Sequence, residues 1–83
     1  MARGHDALEA DFGAVVRSRR QALGLSQERL ADKAGLHRTY VSLLERGQRT
    51  PSIYVVRSLA DALQTSMTDL IHELERGRPV KGG

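Results

Sequence analysis

Residues 26–52 read SQERLADKAGLHRTYVSLLERGQRTPS, and the fold turns on how this stretch is parsed. Its apolar positions recur at helical spacing in two short runs, over residues 26–33 and 37–46. Between them Ala34, Gly35 and Leu36 make a tight turn, where Gly35 can take a positive φ without a Cβ penalty. Ala31 offers a small side chain where the two helices must cross closely. Leu36, Val41 and Leu44 supply apolar knobs that fix the crossing angle. Gly47 closes the second run, and Pro51 forbids its continuation.

Three more helices follow on working outward. Residues 7–23 place Leu8, Phe12, Val15, Val16 and Leu23 on or near one face, and Gly24 ends that helix in a C′ position. Ser26 is placed to cap the second helix, which turns Leu30, Ala31 and Ala34 inward. Ser52 caps a fourth, with Val56, Leu59, Ala60 and Leu63 at i, i+3, i+4 and i+7. Ser66 with Asp69 resembles a capping box for a fifth, whose apolar face is Met67, Leu70, Ile71 and Leu74. No stretch alternates as a strand would. The expectation is an all-α, compact five-helix domain over residues 7–76, with 1–6 and 77–83 as flexible tails.

Composition narrows the function. Eighty-three residues make one small domain. There is no cysteine, so neither a disulfide framework nor a thiolate metal site is expected. No metal and no cofactor is expected: carboxylates with metal-ligand spacing, a glycine-rich phosphate loop and a Ser/His/Asp set are all missing, which argues against an enzyme. The longest apolar runs are too short for a bilayer, and MARGHDALEADFG lacks the apolar centre of a signal peptide. A cytoplasmic address with no membrane partner is expected. The net charge of +3 and the pI near 10.0 favour a polyanionic partner. Aromatic residues make up only 4%, which leaves few platforms for stacking single-stranded bases and fits a helix docked on a duplex better.

A short helix, a tight turn and a second helix form the layout that presents the second helix to a major groove. On that layout Arg38, Thr39 and Ser42 face outward. Arg38 can give a bidentate contact to guanine, and Thr39 can offer its methyl to thymine or its hydroxyl to a base or phosphate. The bland reading of all three is solvated polar side chains. Tyr40 either packs against the second helix or places its hydroxyl on a base or phosphate. His37, at the start of the helix, is a cap, a phosphate contact or a surface histidine without a role. Arg17, Arg19, Arg29 and Lys33 read as solvated helix faces.

SQERLADKAGLHRTYVSLLERG resembles the helix-turn-helix of the phage Cro and C1 repressor class, the XRE family, and the likeness runs over about residues 12–74. Within that class HRTYVSLLERGQRTPS is similar to restriction–modification controller proteins, whose recognition helix opens with Arg-Thr-Tyr. The resemblance implies a lambda-repressor-like fold. It implies that Gln27, in the first turn of the second helix, reaches a phosphate, and that Arg20 and Glu45 form a structural salt bridge between helices one and three. It also lays Arg46, Gln48, Arg49 and Thr50 along the phosphate backbone, where contacts position without reading sequence. Arg49 could instead enter a narrow minor groove.

The expected function is a homodimeric transcription regulator on a double-stranded operator, commonly its own, with half-sites on the order of 34 Å apart. It would repress by blocking RNA polymerase or activate by touching it. With no separate sensor segment, occupancy would follow protein concentration. Leu63, Met67, Ile71 and Leu74 are candidates for the dimer interface; the competing reading puts all four in the core of so small a domain. The alternatives are an antitoxin with a toxin partner, or a protein-interaction module without DNA contact.

Overall fold

The computed structural model describes residues 3–77, with side chains from residue 7 onward. Its helices are α1 (Arg3–Ala22), α2 (Gln27–Ala34), α3 (Arg38–Glu45), α4 (Ile53–Ala62) and α5 (Met67–Arg76), with no strand among the described residues. α1 begins at Arg3, which corrects a start at Ala7 and a loose segment over 3–6. Extending a helix is far cheaper than nucleating one, so its end need not coincide with the first apolar residue. The expected tails at 1–2 and 78–83 lie outside the described residues.

Serine starts three of the helices. Ser26, Ser52 and Ser66 stand in extended backbone, and their Oγ atoms accept from the amides of Arg29, Val55 and Asp69 at 3.0, 3.1 and 3.0 Å. Each such cap contributes about 1 kcal/mol. α2 stops at Gly35, whose φ of 71° lets its amide and that of Leu36 turn back to the last carbonyls of the helix.

α3 packs on both α1 and α2, α2 on α4, and α5 on α1 and α4. Phe12, Val16, Leu30, Val41, Leu44, Leu59, Leu63 and Leu70 meet in one core, with Ala31 and Ala60 at close crossings. Full burial of each large side chain contributes roughly 1.5–3 kcal/mol. Leu8 and Leu23, expected on the apolar face of α1, are exposed. They sit toward the two ends of a helix longer than the bundle it covers.

The closest backbone approach holds α3 in place. A Cβ built on Gly13 would lie 2.4 Å from the Leu44 carbonyl oxygen and 2.6 Å from that of Glu45. α1 therefore rests directly on the carbonyl end of α3, and only a residue without a side chain fits there. Gly47, just past α3, is similarly close to Ala10 of α1 and has a φ of 76°.

Candidate nucleic-acid interface

α3 divides into two faces. At about 100° per residue, Arg38, Thr39, Ser42 and Arg46 fall within roughly 100° of arc. Arg38, Thr39 and Arg46 are exposed and Ser42 is half-buried. Val41, Leu44 and Glu45 occupy the opposite side and are buried. Burial on one side fixes the rotation of the helix, so the polar arc is presented outward by the core itself.

Tyr40 lies outside that arc, about 160° from Ser42. It is half-buried and packed against the core cluster. Of the two readings of this side chain, packing accounts for the ring. Burial raises its hydroxyl pKa above the usual 10.0, and the neighbouring Arg49 guanidinium partly offsets the rise. The phenol is therefore neutral at physiological pH, able to donate a hydrogen bond, and lies on the side toward the loop after α3.

His37 occupies the N-cap position of α3 in extended backbone, but its side chain makes no capping hydrogen bond. That removes the cap reading. A short acceptor such as serine reaches back to the N3 amide, and an imidazole here does not. The ring is exposed beside Arg38.

Beyond α3, Arg46, Gln48, Arg49 and Thr50 are all exposed. Arg46 Nε donates to the Ser42 carbonyl at 3.4 Å and Arg49 Nη1 to the Gln48 carbonyl at 2.9 Å. A guanidinium has five N–H donors, so each keeps most of its fork for an external acceptor. Thr50 leads through Pro51 into α4.

A polar network lies beneath the arc. Arg20 Nε and Nη2 grip Glu45 Oε2 and Oε1 at 2.6 and 3.1 Å, and Arg20 Nη1 donates to the Leu25 carbonyl at 2.7 Å. The two side chains are 12% and 2% exposed. Gln27 is not free: its Nε2 donates to Glu45 Oε1 at 3.0 Å. Arg19, read from the sequence as a solvated charge, forks onto Glu73 of α5 at 3.1 and 3.0 Å. It ties α1 to the last helix and stands apart from the interface.

The four side chains expected at a dimer surface separate. Leu63 and Leu74 are 2% and 8% exposed and fill the chain's own core. The expectation is corrected for both, because their apolar surface is already covered. Met67 is half-buried and Ile71 is 41% exposed. Sequence reasoning passed over Ile53 and Tyr54, which are 66% and 80% exposed in the first turn of α4. It also passed over Gly13 as the seat of α3, since a lone glycine within a helical pattern carries no sign of what it touches.

Residues 16–70 match the helix-turn-helix family. The chain belongs to the helix-turn-helix family, of the XRE type. The control protein C.SmaI of Serratia marcescens is 46% identical over 56 residues, 68% of this chain and 67% of its own length. The solved restriction–modification controller protein C.AhdI of Aeromonas hydrophila is 45% identical with a TM-score of 0.76, covering 77% of this chain and 97% of its own. The solved controller C.Esp1396I is 30% identical with a TM-score of 0.77, covering 83% of this chain and 88% of its own. Solved variants of C.Esp1396I replace, one at a time, three consecutive residues: an arginine, a threonine and a tyrosine. Among the described residues of this helix-turn-helix chain, no helix is long and apolar enough to cross a membrane, and no group of three or more His, Asp or Glu could hold a metal.

Proposed function

We propose that this chain is a sequence-specific, duplex-DNA-binding transcription regulator of the restriction–modification controller kind, acting as a homodimer on a two-fold operator. The observation that carries the reading is the division of α3, with Val41, Leu44 and Glu45 locked inside and Arg38, Thr39 and Ser42 clear of the core on the opposite arc. The relatives named as controllers support the narrower assignment. The Arg-Thr-Tyr order replaced in C.Esp1396I is also the order of Arg38, Thr39 and Tyr40.

Arg38 reads a guanine edge through its planar fork, and Thr39 and Ser42 contact neighbouring bases. Tyr40 offers a neutral hydroxyl at the border between bases and backbone. His37, Arg46, Gln48, Arg49 and Thr50 meet phosphates on either side and set the register. The regulator works in the cytoplasm on promoter DNA, and RNA polymerase is its partner where it activates.

Arg38→Ala is expected to cost about 1–3 kcal/mol of discrimination at one base pair while binding to random duplex persists. Competition between duplexes differing at single positions measures it. An unchanged base preference would take Arg38 out of readout.

One domain spans few base pairs, so two copies are needed for a specific site. Met67 and Ile71 of α5 provide the apolar surface for the second copy. Ile71→Asp is expected to shift the protein toward monomer in sedimentation at micromolar concentration, with helical content unchanged. Unaltered sedimentation removes Ile71 from the interface.

A further inference from the structure

The buried base of the recognition helix is linked to the start of α2 by one side chain. Gln27 is half-buried on the first turn of α2, with its Nε2 on Glu45 Oε1 at 3.0 Å. The same carboxylate is held by Arg20 of α1, whose third contact is the Leu25 carbonyl just before α2. Three segments thus close into one hydrogen-bonded ring around Glu45. An ionised carboxylate only accepts, so the nitrogen of the Gln27 amide must face it, and the amide oxygen is turned elsewhere. That oxygen repels a phosphate, and one N–H of the amide is already committed inward.

We propose that Gln27 is a positioning residue for sequence readout: by tying Glu45 to the first turn of α2 it fixes the rotation of α3. The inference rests on the reading of α3 as the recognition helix. With side chains, a helix has a radius of about 5–6 Å, so a rotation of about 10° moves a side-chain tip by about 1 Å. The usable range of a hydrogen bond is only about 0.5 Å wide. Slack at Glu45 therefore misaligns Arg38, Thr39 and Ser42 with base edges, whereas flexible phosphate contacts from the loop after α3 tolerate it. Loss of a phosphate ligand behaves differently, weakening all sequences alike.

The test uses the full chain and two probes, a duplex that the unaltered protein selects from a random library and a random-sequence duplex of the same length. Gln27→Met keeps the length and removes the donor. It is expected to weaken the selected duplex by about tenfold, which corresponds to one charged hydrogen bond, and to leave the random duplex within about twofold. Gln27→Lys keeps an N–H donor for Glu45 and is expected to retain the ratio between the two duplexes. Equal weakening of both duplexes by Gln27→Met would make Gln27 a phosphate ligand and overturn the proposal, as would no change in either. Loss of the ratio in Gln27→Lys to the same extent as in Gln27→Met would overturn it too. Should the unaltered protein select no duplex, the recognition reading itself fails, and this proposal with it; selection without a Gln27 effect removes the proposal alone.

Discussion

Glu45→Ala is expected to lower stability by about 3–5 kcal/mol, out of the roughly 5–15 kcal/mol that holds a typical domain together. The size follows from what is left behind. The Glu45 side chain is 2% exposed and Arg20 12%, so truncation strands a guanidinium with little access to water. The Gln27 amide loses its acceptor in the same step. The intact pair need not contribute that much, because removing two charges from water costs nearly what their attraction returns. Arg20→Met with Glu45→Leu is accordingly expected to be far less damaging than Glu45→Ala alone. Urea unfolding followed by circular dichroism, on the single and double variants, separates the two effects. A single variant as stable as the parent would mean that Glu45 is not needed to satisfy Arg20.

Gly13→Ala is the second large effect, and its sign is the informative part. In a helix interior this exchange ordinarily stabilises by about 0.5–1 kcal/mol, since glycine is the more flexible in the unfolded chain. Here the new methyl would sit 2.4 and 2.6 Å from the carbonyl oxygens of Leu44 and Glu45 and 2.9 Å from the Glu45 carbonyl carbon. All three are backbone atoms of the segment that carries the DNA-facing arc, so none can swing aside. α1 and α3 must separate, at a cost of about 1–3 kcal/mol typical of overpacking. For a domain of this size each kcal/mol is worth about 4–8 °C, so melting should fall by roughly 4–24 °C. Gly77→Ala is the control: its Cβ would come no closer than 3.7 Å to the Glu73 carbonyl, and melting should hold. An unchanged or higher melting temperature in Gly13→Ala would contradict the close seating of α3 on α1.

Much of this arrangement was legible in the chain because local and global signals agree. Apolar spacing, three serine caps and the glycines at 24, 35 and 47 mark five helices, and the bounds of α2 and α3 shift by a single residue. The polar arc of α3 was legible for the same reason, since Val41 and Leu44 fix its inner side. What was hidden depends on partners distant in sequence. Arg19 and Glu73 are 54 residues apart, and neither shows from its surroundings that it is paired. Gln27 was assigned outward by resemblance, whereas its acceptor lies 18 residues later on the buried end of another helix. Leu63 and Leu74 fit a core or an interface equally well until their neighbours are known. The turn between α4 and α5 has no glycine, and Gln64 takes the left-handed conformation itself with a φ of 59°. A non-glycine residue pays about 1–2 kcal/mol there, which the packing of α4 and α5 offsets.

Selection of bound duplexes from a random library, with the pure protein at moderate salt, tests the central claim most directly. The account predicts enrichment of a two-fold symmetric motif whose half-sites lie about one helical turn apart. A folded protein that enriches no motif would contradict it and leave α3 as a surface for a partner other than DNA.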